Sequence, residues 1–284
     1  MGNKKNRNKA NPQQEAKTVP LPSLLVVTPS LDGNVWHGYL ATMIQLQREC
    51  NKMGIRFGIR IIYGNSILPM ARNLCVQAFS DSDFTHALML DSDVRVNPMD
   101  VIACIALDRD LAALPFSRRN PNWNIAARYT QVSAGRNPAA FPTMLAEANF
   151  TLADDYGNTD EEANRLGFVK VNRVGTACMV IKKSLLAKFA EAYPARWVMD
   201  LDPAKQPRRL QEIFAYGREN DYFIGEDFEF CDRWRETGGD IWMKLDAKTS
   251  HHGAVDFDFD AVLLNSIAQQ LTEQDQEQKE KENA

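Results

Sequence analysis

Residues 85–93 read THALMLDSD, an apolar run that stops on two aspartates one residue apart, Asp91 and Asp93. Alternate side chains of an extended chain share a face. Both carboxylates therefore leave the strand on one side, where a divalent cation can sit between them and a diphosphate. The short run HALML predicts a buried strand, and the segments before it predict its neighbours. LLVV at 24–27 and IRFGIRIIY at 55–63 read as strands. Residues 38–53 have helical spacing through Leu40, Met43, Ile44 and Leu46, and residues 68–79 have it with Pro69 in the first turn. Pro98 opens a further helix through Leu107. The order β-α-β-α-β-α predicts an α/β fold with a mostly parallel central sheet and helices on both faces. Ligands of such sheets bind beyond the carboxyl ends of the strands, where Thr28, Gly64 to Ser66 and Asp91 to Asp93 fall.

The second half is less regular. Residues 116–165 are rich in Pro, Asn and Gly, as a long functional loop is. FVKVNRVGTACMVIKKSLLAKF at 168–189 predicts a strand, a Gly-Thr step, a second strand and a helix. In YFIGEDFEFCDRWRETGGDIWMKL at 222–245, a helix from Glu226 to Glu236 is stopped by Gly238-Gly239, and IWMKL closes the sheet. Beyond Leu271 the chain turns polar. The expected organisation is a disordered basic arm over 1–20, one domain over 21–262, and a short helix with a polar acidic tail over 263–284.

Composition bounds the function. The 284 residues are 44% hydrophobic, enough for a substantial core, and no run approaches the ~18 apolar residues of a membrane span. The N-terminus has no apolar h-region, and Asn6 stands where a myristoylation signal wants Ser or Thr. Cys50, Cys75, Cys104, Cys178 and Cys231 form no CxxC pair, which fits packing thiols in a reducing cytoplasm. Residues 1–17 carry five basic and one acidic side chain, and 271–284 five acidic and two basic, so the body between is acidic. That excludes a general polyanion binder. One stretch departs from the average: no acid lies between Asp110 and Glu147, while Arg118, Arg119, Arg128 and Arg136 interleave with Trp123 and Tyr129. It reads either as a loop with solvated arginines or as a wall that receives an anionic donor or acceptor, with Trp123 a sugar or acceptor contact.

Other candidates have two readings each. Glu226 and Asp227 either favour a helix start, by roughly 0.3–1 kcal/mol each through the dipole, or carry chemistry. His251 and His252 follow a strand, and a neutral imidazole can complete a metal site begun by two carboxylates. Arg72 can hold a phosphate through its planar fork or hold one of the aspartates, with Asn73 beside it.

Taken in order, TPSLDGNV, PMARN, MLDSDV, VGTACMVIKK, IGEDFEFCDRWRETGGDIW and SHHG resemble the motif set of GT-A-type, DxD-containing nucleotide-sugar glycosyltransferases of the bacterial and phage-encoded kind. The resemblance spans about residues 23–255. It implies a Rossmann-like GT-A sheet, a nucleoside diphosphate sugar donor of the UDP type, and Mn²⁺ or Mg²⁺. It implies that Thr28 and Pro29 lie against the base and ribose, and that Arg72 contacts the nucleotide with Asn73 beside it. Asp93 would bind the metal directly, and Asp91 would touch the ribose or the metal through water. Gly175 and Thr176 would border the transferred sugar. Asp227 would be the base and Glu226 would hold acceptor or sugar hydroxyls. His251 would complete the metal site, with His252 as the alternative.

Such transfer builds charge on the departing diphosphate, which a metal clamp stabilises. In an inverting enzyme Asp227 takes the acceptor's proton, and a carboxylate at a helix start suits that role. The expected protein is a cytoplasmic transferase without a membrane span, in the host cytoplasm if phage-encoded, acting on a saccharide or another hydroxyl acceptor. Three alternatives remain open. Hydroxymethylated bases of phage DNA would be contacted by the arginine and aromatic stretch. A sugar nucleotidyltransferase would want a basic Gly-rich loop that TPSLDGNVWHG lacks. A catalytically silent nucleotide-sugar binder is the third.

Overall fold

In this computed structural model the described residues are 21–119, 121–132, 143, 145–157, 160–198, 208–253 and 256–282. The expected arm over 1–20 and Arg136 lie outside them. The first half of the chain runs β1 (Ser23–Ser30), α1 (His37–Lys52), β2 (Arg56–Tyr63), α2 (Leu68–Ser80), β3 (His86–Leu90), β4 (Val94–Val96), α3 (Pro98–Ala106), β5 (Leu111–Ala113), β6 (Ser117–Arg118) and α4 (Trp123–Val132). The second half runs β7 (Glu147–Ala148), β8 (Phe150–Leu152), α5 (Glu161–Leu166), β9 (Phe168–Val174), β10 (Cys178–Lys182) and α6 (Lys183–Ala192). It continues through the short strands β11 (Arg196–Val198), β12 (Arg208–Leu210), β13 (Gly217–Glu219) and β14 (Tyr222–Ile224). Last come α7 (Glu226–Glu236), β15 (Ile241–Lys244), β16 (Thr249–His252), β17 (Asp256–Phe259) and α8 (Ala261–Glu282).

The central sheet has eight strands in the order β2-β1-β3-β10-β5-β15-β9-β8. β1 pairs in parallel with β2 and β3, and β5 with β15. β10 runs against both β3 and β5, and β9 against both β15 and β8. The sheet is therefore mostly parallel in strand sense, with two opposed strands that the opening β-α-β-α-β-α run gave no reason to expect.

Period-2 alternation sorts the apolar side chains into two cores, one per face. Leu24 and Val26 of β1 and Leu88 and Leu90 of β3 pack with Tyr39, Met43 and Leu46 of α1 and Val101 and Ile105 of α3. Leu25 and Val27, with Ala87 and Met89, point the other way onto Cys75, Val76 and Phe79 of α2, Leu185 and Phe189 of α6, and Phe230 and Trp234 of α7. Helices thus cover both faces, as the sequence predicts. The i,i+4 pair Phe230 and Trp234 is buried, and Trp234 Nε1 donates to the Asp240 carbonyl at 3.0 Å. Trp234→Ala is expected to cost about 3–5 kcal/mol in unfolding free energy, read by denaturant titration.

Three features depart from the sequence reading. Among the described residues, the Pro/Asn/Gly-rich region holds two helices. One of them, α5, is set by local signals: Asp160 Oδ1 accepts the Ala163 N–H at 2.8 Å, and Gly167 closes the helix at φ 77°. Helix α8 continues through Glu282, so the expected short helix and polar tail are mostly one helix of 22 residues. Finally, β4, β16 and β17 form a separate sheet in the order β17-β16-β4, and this small sheet builds the site. All five cysteines are free and buried, and burial pushes the thiols up, Cys50 to about 11 and Cys75 and Cys231 to about 12, as inert packing groups. Among the described residues no helix is long and apolar enough to cross a membrane.

Candidate active site

The site lies where β3 ends. The Asp91 N–H donates to the Ala177 carbonyl at 3.1 Å, which sets the Gly175-Thr176 step beside the first aspartate. Gly175 is required by close approach: a Cβ there would stand 2.2 Å from Asn149 Nδ2 and 2.3 Å from the Phe116 ring. Thr176 is buried, and its hydroxyl has no hydrogen-bond partner.

Arg72, on buried α2, reaches this strand end. Its Nη2 lies 3.2 Å from Asp91 Oδ2 and its Nε 3.2 Å from Glu226 Oε1 at the start of α7. Of the two readings open in the sequence, holding an aspartate is the one realised. The guanidinium ties three elements distant in sequence, yet Arg72 Nη1 and Asp91 Oδ1 are both buried without a hydrogen-bond partner. Unpartnered buried polar atoms are costly, and a cluster of them calls for an explanation such as a missing ligand. Burial raises the Glu226 carboxyl, against the opposing pull of Arg72. Glu226 therefore faces Arg72, not an open acceptor site.

Asp93 points to the other side. Its Oδ2 takes a hydrogen bond from Arg119 Nη1 at 2.9 Å, and its Oδ1 lies 3.3 Å from His251 Nε2. The small sheet makes this meeting: His251 is in register with Val94 across β16 and β4, and the His252 N–H donates to the Asp93 carbonyl at 2.8 Å. His251 Nδ1 is 2.8 Å from the Ser117 carbonyl. A carbonyl only accepts, so Nδ1 carries the proton and Nε2 faces the carboxylate. Burial pushes the imidazole down, but the Asp93 and Ser117 contacts outweigh it and hold His251 above its ordinary value. Burial likewise pushes Asp93 up, and His251 and Arg119 outweigh it, holding the carboxyl low.

The two histidines separate cleanly. His251 is the buried one against Asp93, while the His252 ring stacks on Trp36 with centroids 4.6 Å apart and planes at 11°. The Trp36 N–H donates to the Ser92 carbonyl at 2.8 Å, so the aspartate loop is held from both sides. Gly38 accommodates the Trp36 ring, which a Cβ would meet at 2.0 Å.

The remaining expected residues are placed less centrally. Thr28 is fully buried, its hydroxyl 2.8 Å from Tyr39 OH, and Pro29 is buried beside it. Neither presents its side chain to an open nucleotide site. Asn73 is a structural clamp: its Oδ1 accepts the Ile213 and Phe214 N–H groups at 2.9 Å each, and its Nδ2 donates to the Phe214 carbonyl at 2.7 Å. Asn73→Ala leaves these groups unpaired and is expected to cost about 2–4 kcal/mol, measured by urea unfolding. Weakened nucleotide binding at unchanged stability would reverse that assignment. Asp227 is half-buried; its Oδ1 accepts the Phe228 N–H at 2.9 Å and Asn149 Nδ2 approaches its Oδ2 at 3.4 Å. Trp123, 64% exposed, starts α4 and makes none of these contacts. Arg118 lies 3.9 Å from Glu147, so of the acid-free arginines both Arg118 and Arg119 face carboxylates.

Trp36, Tyr39 and Asn149 escaped the sequence reading. Trp36 had a usable signal, since it caps a helix six residues past the first strand, on the side where ligands bind. Asn149 had none, because its loop is placed by pairing with β9.

No protein-family model matches the chain, and no curated protein does. Solved structures similar to it include the A197 protein from STIV, at 14% identity over 81% of this chain and 86% of that one, with a TM-score of 0.43. A glycosyltransferase involved in glycosylation of the major capsid of PBCV-1 is 18% identical over 33% of this chain and 52% of its own, with a TM-score of 0.25. S. aureus TarS, residues 1–349, is 12% identical over 61% of this chain and 50% of its own, with a TM-score of 0.27. At these scores the likeness carries no weight for fold or activity, and the functional reading rests on the site's own geometry.

Proposed function

We propose that this chain is a metal-dependent glycosyltransferase of GT-A type that moves a sugar from a nucleoside diphosphate sugar, a UDP-sugar, to an acceptor hydroxyl with inversion. The observation that carries the reading is the strand end itself. Asp93 and His251, 158 positions apart in sequence, lie 3.3 Å from each other, beside the buried, unpartnered Asp91 Oδ1 and Arg72 Nη1.

The donor atoms fit a metal in part. Among the described residues no group of three or more His, Cys, Asp or Glu side chains is placed to hold an ion, and Asp91 is turned to Arg72 instead of joining the pair. Asp93 Oδ1 and His251 Nε2 are the two groups that would hold a Mn²⁺- or Mg²⁺-like ion, which would need further oxygen ligands from outside the chain. When bound, that ion neutralises charge developing on the departing diphosphate. The chain's own groups do the rest. Arg119, 56% exposed at its side chain and beside Asp93, adds positive charge on the same side. Arg72 holds Asp91 and Glu226 in place at the strand end beside which the nucleotide would bind. Asn149 orients the Asp227 carboxylate, and Asp227 Oδ2 takes the proton of the attacking hydroxyl.

A two-ligand site makes a distinct prediction. Mn²⁺ alone is expected to bind weakly, and Mn²⁺ with UDP to bind at least ten-fold more tightly, because the diphosphate completes the coordination. Calorimetric titration of each alone and both together reads this coupling, which is reciprocal. A donor screen with Mn²⁺, following nucleoside diphosphate release, tests the activity itself. Equal Mn²⁺ affinity with and without every nucleoside diphosphate, together with no release from any donor, would reject the proposal.

A further inference from the structure

Asp93 is held by its backbone as well as by its carboxylate. The carbonyls on either side of its Cα, those of Ser92 and of Asp93 itself, accept the Trp36 and His252 N–H groups at 2.8 Å each. Both peptide units that flank the Cα are planar, so pinning the two of them fixes the torsions between them. The direction in which the carboxylate leaves the chain is fixed with them. The two donors are joined in turn, because the Trp36 and His252 rings stack with centroids 4.6 Å apart and planes at 11°. The contacts close a circuit from Trp36 to Ser92, Asp93, His252 and back to Trp36.

β16 needs that circuit more than its neighbours do. β4 is seated by buried Val94 and Val96, and β17 by buried Phe257 and Phe259. β16, between them, reads Thr-Ser-His-His and has no aliphatic side chain to seat it. One of its faces is tied by polar contacts: Thr249 Oγ1 donates to the Pro115 carbonyl at 2.7 Å, and His251 Nδ1 to that of Ser117 at 2.8 Å. On the other face Ser250 is buried with its hydroxyl unpartnered. Alternation puts His252 on this second face, where the Trp36 ring holds it.

Trp36 is itself a fixed platform. It is the residue that precedes α1, and its ring lies over Gly38, where a Cβ would stand 2.0 Å from the ring. Glycine at 38 therefore lets the ring reach His252. His251 is the next residue along β16, with Nε2 3.3 Å from Asp93 Oδ1. The stack thus bears on both groups that would hold the ion without touching it.

We infer that Trp36 is a positioning residue of the metal site, acting through its stack on His252, an inference that rests on the proposed metal-dependent transfer. Calorimetry of the full chain compares Mn²⁺ binding in the presence of UDP for wild type, Trp36→Ala, Trp36→Phe, His252→Ala and the Trp36→Ala/His252→Ala double variant. Trp36→Ala is expected to weaken that binding ~10-fold or more, as loss of a group that orients a metal ligand does, with UDP affinity in metal-free buffer unchanged. Trp36→Phe keeps a flat ring and is expected to restore most of the affinity. His252→Ala should match Trp36→Ala, and the double variant should be no worse than either, because all three remove the same stack. With donor present, Trp36→Ala should need more Mn²⁺ for half-maximal UDP release while keeping its kcat at saturating Mn²⁺. Without any ligand, exchange of the His252 amide hydrogen should quicken in Trp36→Ala at unchanged global stability.

The inference is overturned by wild-type Mn²⁺ affinity in Trp36→Ala, by an equal loss in Trp36→Phe, by additive losses in the double variant, or by a matching fall in metal-free UDP affinity. Should Trp36→Ala fail to fold, His252→Ala, at a half-buried position, reads the same stack. Quickened exchange in Trp36→Ala, beside a wild type in which Mn²⁺ and UDP bind independently, would remove the metal reading and leave the brace standing. Wild-type coupling that Trp36→Ala leaves intact would do the reverse.

Discussion

Asp93→Ala is expected to abolish metal-dependent donor binding, with nucleoside diphosphate affinity in Mn²⁺ falling on the order of 100-fold or more, since even partners of a metal ligand are worth ~10–100-fold. The carboxylate faces both His251, at 3.3 Å, and Arg119, at 2.9 Å. Its loss removes half of the protein ligands and leaves two basic side chains facing one another. The residual binding should no longer respond to Mn²⁺. Titration of UDP with and without Mn²⁺ reads the effect, and a thermal unfolding curve shows that the variant remains folded. A variant that keeps the wild-type Mn²⁺ response would remove Asp93 from the metal site, and with it the meaning given to the meeting with His251.

Asp227→Asn is expected to leave donor binding within about two-fold of wild type while transfer falls ~10²–10⁴-fold, the usual contribution of a general base. The substitution is nearly isosteric. It keeps an oxygen for the Phe228 N–H, 2.9 Å from Asp227 Oδ1 in the parent, so a lost rate reports chemistry rather than a broken helix start. Glu226 is the contrasting case. It is buried 3.2 Å from Arg72 and raised by that burial, so Glu226→Gln should act through Arg72 on donor binding before it acts on the rate. Rapid-quench measurement of transfer alongside UDP titration separates the two. Full turnover by Asp227→Asn would take the base assignment away, and a purely rate-based defect in Glu226→Gln would transfer it.

Much of the fold was legible where its signals are local. Buried strands announce themselves as apolar runs, and the helix 226–236 agrees with the structure at both ends because Gly225 precedes its first acidic turn and Gly238 stops it. Asp91 and Asp93 could be read as a strand end for the same reason. What the aspartates do there was less legible. Alternation put both on one side, whereas each is claimed by a different cation: Asp91 by Arg72, Asp93 by Arg119 and His251. Asn73 is the instructive miss. Its neighbour Arg72 enters the site, but one residue along a helix turns the side chain about 100°, toward the loop at Ile213 and Phe214.

The sequence by itself determined the alternation of strands and helices, the placing of acids at a strand end and a helix start, and the absence of long apolar spans, because each depends on residues within a few turns of one another. Only the tertiary structure decided which acid meets which base. The reversed strand β10 sets Ala177 against Asp91, and the small β17-β16-β4 sheet sets His251, and not His252, against Asp93. Those choices are made by strand register, and a shift of one residue would exchange the two histidines between the carboxylate and the Trp36 ring.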